Sequence, residues 1–315
     1  MAKAVSIKRF RKALVTGGAG FIGSHLCEGL LKEGLEVVVL DNLSMGKKKN
    51  VPKKATLIVG DVLDCHLVNS IVSRDVDIVF HEAAIVSIRG STKNFYDDAM
   101  NNIMGTLNIL NASIEFGVKK LVYASSMAVY ADNVKKTPIS EKYRKEPISP
   151  YGLSKLASEN YLSLIAKSNE IDIIVLRYFN TFGERQTFTP YVGVITIFIN
   201  QLLRGESPII FGDGEQTRDF IHVKDIVQAN LKAMNADSHW GVFNVGTGVG
   251  TTVNGIANAL RLKINPEMDP VHTDAKPEEL RYSVADITKI KAQFDFRPQY
   301  NIEDSLDFVI KQYIP

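Results

Sequence analysis

The 315-residue sequence has only two cysteines, Cys27 and Cys65, and neither lies in a spacing typical of a metal site or a redox pair. The six histidines are scattered and form no HExxH motif or Cys/His cluster, so we expect no protein-bound metal. Because proteins of reducing compartments use few cysteines in structural roles, we predict a cytoplasmic location.

An excess of one charge and long apolar runs are also missing. The 37 Lys and Arg residues nearly balance the 35 Asp and Glu residues, so the charge gives no reason to expect nucleic acid or a membrane as a partner. No apolar run reaches the length of a transmembrane helix, and no apolar segment of a signal peptide follows the basic residues of the N-terminus. With 45% hydrophobic and 23% charged residues, the composition is that of a globular enzyme with one large or two coupled domains.

The most informative segment is Ala13–Ser24. Its first residues form a short apolar run that predicts a buried parallel strand, and an apolar pattern at helical spacing begins at Phe21. Between them, Gly17 suits a tight turn, Gly20 lets backbone approach a pyrophosphate, and Gly23 lets the helix pack closely. The helix start offers free N–H groups and a positive dipole end to a phosphate. This context predicts a dinucleotide site rather than a structural turn.

Strand and helix patterns then alternate along the chain. Further strands are predicted at 35–40, 56–59, 77–80 and 120–124, and helices at 21–31, at 95–116 and from residue 150 onward. This order predicts an α/β protein with a Rossmann-type doubly wound parallel sheet and helices on both faces. Ligands of such sheets bind beyond the carboxyl ends of the strands. Polar or small residues follow several of these ends: Asp41, Asp61, Ala83, Ala84 and Ser126.

Asp41 indicates which dinucleotide binds. A carboxylate at the end of the second strand, 18 residues after Gly23 (23 to 41), is placed to hold the ribose hydroxyls and to repel a 2′-phosphate, which favours NAD over NADP. The lysines at 47–49 would favour the opposite, but a lysine run in a turn is usually a solvated face. Asp61 could bind the adenine edge or cap the next helix, as Asp64 could equally well.

Tyr151 and Lys155 lie four residues apart in the helix that Pro150 opens, so both face the same side. Such a pair is frequent by chance, but here it follows a dinucleotide pattern and a strand-end serine, Ser126. A free tyrosine has a pKa of about 10, which a nearby ammonium can lower by about 1–3, and a positive nicotinamide ring would add to this. We predict that Tyr151 accepts a substrate hydroxyl proton while the same carbon loses hydride to the cofactor, with Ser126 hydrogen-bonded to that oxygen.

In combination, these motifs resemble those of the extended short-chain dehydrogenase/reductases, specifically the sugar-nucleotide epimerases similar to UDP-glucose 4-epimerase. The resemblance extends over nearly the whole chain and implies reversible C4 epimerisation of a UDP-sugar through a 4-keto intermediate. The motifs are Thr-Gly-Gly-Ala-Gly-Phe-Ile-Gly (16–23), Asp41-Asn-Leu-Ser44, Gly60-Asp61, Asn102-Ile-Met-Gly-Thr106, Ser125-Ser-Met-Ala-Val-Tyr130, Tyr151-x-x-x-Lys155, Arg177-Tyr-Phe-Asn180 and Thr217-Arg-Asp-Phe-Ile-His-Val223.

The resemblance assigns roles by position. The catalytic group would be Ser126, Tyr151 and Lys155. The residues expected to line NAD are Gly17, Gly20, Phe21, Ile22, Gly23, Asp41, Asn42, Asp61, Val62, Ala83, Ala84, Asn102, Tyr151, Lys155 and Phe179. Those expected to contact the substrate are Ser126, Asn180, Val194, Phe211, Arg218, Lys276 and Ser283. The fork of Arg218 would clamp the diphosphate; the alternative is a surface ion pair with Asp219 or Asp213.

Three departures from the family pattern bear on the substrate. Met127 stands where dehydratase relatives have an acid, which disfavours 4,6-dehydration and also decarboxylation. Lys276-Pro-Glu-Glu279 replaces a frequent Arg-Pro-Gly-Asp, so Lys276 can neutralise a phosphate but cannot bind it in bidentate fashion. Ser283 stands where bulky residues exclude an N-acetyl group, so UDP-N-acetylhexosamines could fit beside UDP-hexoses; the alternative is a solvent-facing serine.

The resemblance and the predicted elements also suggest how the chain is divided into domains. Residues 1–179 would form the NAD-binding domain and 180–315 mainly the substrate-binding region, with a helix at 192–203. Segments near 220–250, namely 225–234 and 241–245, would return to the first domain. The family also implies a homodimer that pairs the helices around 95–116 and 150–167. Two other functions stay open: another nucleotide-sugar oxidoreductase or dehydratase, and a non-catalytic NAD(P)-binding sensor.

Overall fold

The computed structural model describes residues 9–86, 88–133, 135–187, 193–275 and 280–314. The strands are β1 (Lys12–Thr16), β2 (Glu36–Asp41), β3 (Thr56–Val59), β4 (Ile78–His81), β5 (Lys120–Ser126), β6 (Asp172–Tyr178), β7 (Asn180–Phe182), β8 (Ile209–Phe211), β9 (Thr217–His222), β10 (Trp240–Val245), β11 (Gly250–Thr252), β12 (Val271–Thr273) and β13 (Tyr282–Ser283). The helices are α1 (Phe21–Lys32), α2 (Cys65–Val72), α3 (Ile88–Lys93), α4 (Phe95–Ala99), α5 (Gly105–Glu115), α6 (Pro150–Ala166), α7 (Val194–Leu203), α8 (Val223–Asn235), α9 (Val253–Ile264), α10 (Thr288–Phe294) and α11 (Ile302–Lys311).

Seven parallel strands form the main sheet, in the order β10-β6-β5-β4-β1-β2-β3. Alternate residues of a strand point to opposite faces, so the continuous apolar runs are buried on both sides. Leu14 packs in the core shared with α2, α5 and α6, whereas Val15 packs in the core shared with α1, α8 and α10. The predicted doubly wound fold is confirmed.

The predicted helix at 95–116 is present but not uniform. A π-helical turn, Met100–Met104, joins α4 to α5. The carbonyl oxygen of Asn102 accepts hydrogen bonds from the hydroxyls of Thr106 at 2.7 Å and Ser158 at 2.9 Å. The hydrophobic pattern could not reveal these hydroxyl contacts or the π-helical turn beside them. The described part of the helix predicted at 192–203 begins at Val194.

The chain after residue 179 contributes to two bodies of structure. β9 pairs with β7, β11 and β13, and a separate apolar core joins α7, α9 and α11. By contrast, β10 extends the main sheet, with Val245 opposite Tyr178 of β6, and α8 packs on α1. Because β7 directly follows β6, this second region stands at the carboxyl edge of the main sheet, where a ligand is expected.

The two cysteines are free thiols, Cys27 buried and Cys65 exposed. Within the described ranges, each helix is too short or too polar to pass through a lipid bilayer. The compartment stays a prediction.

Candidate active site

The turn between β1 and α1 has the geometry that the glycine spacing predicts. Gly17 has a φ of +68°, and a Cβ there would lie 2.8 Å from the amide nitrogen of Ala83. A Cβ at Gly23 would collide with the carbonyl oxygen of Gly17. No side chain caps α1, and its first turn has no acidic residue, so the first amides of the helix are available to an anion. The turn fits a dinucleotide pyrophosphate.

Two carboxylates, one at the end of β2 and one just after β3, lie on one side of this turn. Asp41 Oδ2 accepts a hydrogen bond from the amide of Ala19 at 2.9 Å, and lone pairs remain for ribose hydroxyls. Asp61 Oδ2 accepts from the side-chain amide of Asn42 at 2.8 Å. Asp61 and Asp64 were both candidates for the N-cap of α2, and Asp64 is the residue that caps it. Asp61 lies just after β3, at the carboxyl edge of the main sheet.

The segment after β4 carries the two alanines predicted to line the cofactor, Ala83 and Ala84, both half-buried. Asn102 holds this segment: its side-chain oxygen accepts from the amide of Ile85 at 2.9 Å, and its side-chain nitrogen donates to the carbonyl of Ile85 at 3.0 Å. That nitrogen also donates to Asp98 Oδ1 at 3.0 Å. The structure therefore places the Asn102 side chain behind the cofactor-lining segment, where it is 1% exposed.

Other predicted cofactor residues frame the same edge of the sheet. Gly20, Phe21 and Ile22 are half-buried at the start of α1. Val62 is buried just after β3, and Phe179 is buried just after β6. They lie where the strand order predicts.

The first turns of α6 carry the predicted tyrosine and lysine. Ser149 caps the helix by accepting the amide of Gly152 at 3.1 Å, and Pro150 occupies its first turn. Tyr151 is 6% exposed and Lys155 is 2% exposed. The capping residues thus place both side chains inside the protein, on the side that faces β5.

Lys155 is anchored over the end of β5. Its Nζ donates to the carbonyl oxygen of Ala124 at 2.8 Å and lies 4.8 Å above the ring of Tyr123. Burial lowers the pKa of the ammonium to about 8, because desolvation penalises the charged form. Three carboxylates oppose this effect, in decreasing order: Glu82, Asp98 and Glu159.

The pKa of Tyr151 differs from the prediction. Burial raises it to about 12, and the charges of Asp98 and Glu82 raise it further, while a hydrogen bond with Ser126 lowers it. The expected lowering of this pKa is therefore wrong for the protein on its own, because desolvation of the phenolate and the charges of two nearby carboxylates outweigh the lowering by the Ser126 hydrogen bond. The effect of Ser126 on this pKa places its side chain next to Tyr151.

A buried ion pair lies beside Ser126 and Lys155. Arg177 of β6 donates to Glu159 of α6 through Nε at 2.9 Å and Nη2 at 2.5 Å. Glu159 also accepts from the hydroxyl of Ser125, the neighbour of Ser126, at 2.5 Å. Both ionic side chains are under 5% exposed. The pair joins α6 to the ends of β5 and β6, and so fixes where Lys155 lies relative to Ser126.

Several predicted substrate residues meet on the smaller sheet. Asn180 opens β7 and donates to the carbonyl of Asp219 at 3.3 Å. Arg218 lies on β9, opposite Ser283 of β13. The pairing of β9 with β7 and β13 brings these distant parts of the chain together. They lie at the carboxyl edge of the main sheet, and we call the space between the two sheets the cleft.

The alternatives offered for two of these residues can be checked. Ser283 is 0% exposed and its Oγ is buried without a hydrogen-bond partner, so a solvent-facing role is wrong. The carboxylates offered as alternative partners of Arg218 have other hydrogen bonds, and Arg218 Nη1 donates to the carbonyl oxygen of Thr217 at 3.0 Å. Asp213 accepts two hydrogen bonds from Arg281, at 2.8 and 2.9 Å, and Asp219 is wholly buried among backbone amides.

Of the three remaining residues predicted to contact the substrate, the structure describes two. Val194 is the first residue of α7 and Phe211 the last of β8, and both are half-buried. Gln216 donates to the carbonyl of Phe211 at 2.9 Å and so ties β8 to β9. Lys276 lies outside the described residues.

Three charged residues near Tyr151 and Lys155 were not predicted from the sequence. Glu82 follows β4 directly, Asp98 lies four residues before Asn102, and Glu159 lies four residues after Lys155. Helical spacing could have flagged Asp98 and Glu159, since positions four apart share a face. The strand-end position could have flagged Glu82.

Known proteins resemble the chain throughout its length. A model of the NAD dependent epimerase/dehydratase family matches residues 13–246. A putative UDP-glucose 4-epimerase of Methanocaldococcus jannaschii is 37% identical over 297 residues, covering 94% of this chain and 96% of that protein.

Solved structures agree. The UDP-glucose 4-epimerase of Thermotoga maritima, solved with UDP-glucose, has 39% identity and a TM-score of 0.92, and the match covers 96% of this chain and 98% of that one. A UDP-N-acetylglucosamine 4-epimerase from Methanobrevibacter ruminantium, in complex with UDP-N-acetylmuramic acid, has 37% identity and a TM-score of 0.91, covering 97% and 98%. The chain belongs to the NAD-dependent epimerase/dehydratase family, as its resemblance to the sugar-nucleotide epimerases implied.

Proposed function

We propose that this protein is an NAD-dependent 4-epimerase of UDP-sugars, with UDP-glucose and UDP-galactose as one substrate pair and UDP-N-acetylhexosamines as a second. The observation that carries the proposal is the grouping of Ser126, Tyr151 and Lys155 at the carboxyl end of β5, on the same edge of the main sheet as the glycine turn. The similar proteins of the family include epimerases of both kinds of sugar.

NAD fits the residues present. The uncapped start of α1 would hold the pyrophosphate, and Asp41 would hold the ribose hydroxyls and disfavour a 2′-phosphate. When bound, the cofactor supplies the group that takes hydride from C4 of the sugar and gives it back.

The protein moves the proton. Tyr151 accepts the proton of the 4-hydroxyl and later returns it, while Ser126 holds the same oxygen by a hydrogen bond. The pKa of Tyr151 is raised to about 12 in the protein alone, so a positive charge brought in near Lys155 would favour the phenolate at neutral pH. A bound oxidised nicotinamide would supply such a charge.

The substrate is held by its diphosphate. Arg218 offers two parallel donors to it. The 4-keto sugar must then turn around its linkage to present the other face, so we expect few strong contacts to the sugar itself.

A substrate panel tests the proposal. The protein is incubated with UDP-glucose, UDP-N-acetylglucosamine and UDP-glucuronate, and products are identified by NMR and mass spectrometry. We expect the C4 epimers of the first two, with unchanged mass. Loss of water or of carbon dioxide would indicate a dehydratase or a decarboxylase, and no product from any sugar would leave an NAD(P)-binding sensor.

We also propose a homodimer formed through α4, α5 and α6. These helices pack together and expose large apolar side chains. The exposed residues are Phe95, Tyr96, Met104, Leu153, Tyr161 and Leu164. Leu164→Glu should give a monomer by light scattering after size-exclusion chromatography, whereas Leu262→Glu, equally exposed but on α9, should leave the dimer intact. A wild-type monomer would contradict the proposal.

A further inference from the structure

Glu82 is a charged residue of the cleft that the proposed mechanism does not use. It lies between His81, the last residue of β4, and the alanines predicted to line the cofactor. His81 is wholly buried between the hydroxyls of Thr16 and Thr106. The Glu82 side chain lies on the other face, towards β6 and α8, where it is only half-buried.

The carboxylate is held in place by neutral groups. Glu82 Oε1 accepts a hydrogen bond from the Tyr178 hydroxyl at 2.7 Å, and the Asn230 side chain donates to the same hydroxyl at 2.7 Å. Tyr178 is the last residue of β6 and directly precedes Phe179. The chain Asn230–Tyr178–Glu82 therefore fixes a carboxylate at the cofactor edge without neutralising it.

The charge of this carboxylate reaches the catalytic pair. Among the charged groups that raise the pKa of Lys155, Glu82 has the largest effect. Glu82 also raises the pKa of Tyr151. Burial raises the pKa of the Glu82 carboxyl group to about 7, against the effects of Tyr178 and Lys155. A carboxylate desolvated in this way is stabilised by any further positive charge brought into the cleft.

Oxidised and reduced NAD differ in such a charge, since the nicotinamide ring is a cation only when it is oxidised. We propose that the negative charge of Glu82 makes this site bind oxidised NAD more tightly than reduced NAD. The inference rests on the proposed function, because an epimerase must begin each cycle with oxidised cofactor. It concerns binding alone, so it can be tested without turnover.

The test compares wild-type protein with Glu82→Gln, which keeps the shape and removes the charge. Each protein is equilibrated at pH 8 with mixtures of NAD+ and NADH, separated from free nucleotide, and the bound forms are measured by absorbance after release. A unit charge nearby in a partly desolvated site changes such a ratio by about ten- to a hundredfold. We expect Glu82→Gln to shift the bound ratio towards NADH by about that factor.

Three matched variants separate charge from structure. Glu82→Asp keeps the charge and should keep the preference for NAD+. Tyr178→Phe removes the hydrogen bond but keeps the carboxylate; because that bond lowers the pKa of Glu82, this variant is also measured above pH 8, where the carboxylate is ionised and the preference should be kept. Glu36→Gln makes the same chemical change at the start of β2, on an exposed side chain at the opposite edge of the sheet, and should leave the ratio unchanged.

Two results would overturn the proposal. One is a wild-type ratio in a Glu82→Gln variant that circular dichroism shows to be folded. The other is an equal shift in Glu82→Gln and Tyr178→Phe, which would make the hydrogen bond and not the charge responsible. A protein that binds NAD with this preference but epimerises none of the sugars would sink the proposed function and leave this inference standing.

Discussion

The cofactor side and the substrate side of the cleft are built in different ways. On the cofactor side, charged groups are buried at the ends of neighbouring strands, as in the pair Arg177–Glu159. On the substrate side, the ion pairs are exposed to water, as in Lys263–Asp307, which links α9 to α11. Water screens the second pair and not the first. The same kind of contact is therefore expected to matter much more beside the catalytic residues.

The largest effect is expected from Tyr151→Phe, which removes the group that we propose as acid and base on the cofactor side. General acid–base catalysis contributes about 10²–10⁴-fold, so kcat for epimerisation should fall by about that factor while NAD stays bound. The control is Tyr313→Phe, which loses a hydroxyl bonded to the carbonyl of Gln186 in the substrate region. If Tyr151→Phe keeps wild-type turnover, Tyr151 has no part in proton transfer.

The comparison itself is tested by breaking one ion pair on each side. Glu159→Gln should lower the free energy of unfolding by about 3–5 kcal/mol, because it leaves Arg177 buried and uncompensated. Lys263→Met should lower it by about 0–1 kcal/mol, since that pair is partly exposed. Both values come from urea unfolding followed by circular dichroism. Equal costs would show that burial does not distinguish the two sides.

Arg218→Lys tests the substrate side. The charge remains but the bidentate fork is lost, and a hydrogen bond to a charged group contributes about 1.5–3 kcal/mol. KM for the UDP-sugar should therefore rise by about ten- to a hundredfold with little change in kcat. Arg261→Lys, on α9 and bonded to Asp269, should leave KM unchanged. A fall in kcat alone would move Arg218 away from the diphosphate.

The smallest expected effect is a pH dependence. The pKa of Lys155 is lowered from its ordinary value to about 8, so the ammonium is present below pH 8 and is lost above it. Turnover should fall by about tenfold per pH unit above pH 8. Glu82→Gln removes the largest charge that holds this pKa up, so the fall should begin at lower pH. A flat profile to pH 9.5 would contradict the role of the ammonium.

Much of the cofactor side could be predicted before the structure. Gly17 adopts the left-handed turn, Asp41 ends β2, and Ser126 meets Tyr151. Each of these follows from short-range spacing within a strand–turn–helix unit or from the rule that ligands gather at strand ends. The π-helical turn at Met100–Met104 escaped prediction because two side chains, one of them from α6, satisfy its backbone.

The sequence by itself determined strands β1 to β5 of the main sheet, the helices that begin at Phe21 and Pro150, and the glycine turn, because all of these depend on neighbours within a few positions. Only the tertiary structure decided that Ser283 is buried and that Glu82 and Asp98 act on Tyr151. It also decided that the pKa of Tyr151 is raised. These outcomes depend on desolvation and on charges brought together from distant parts of the chain, and neither is encoded in local spacing.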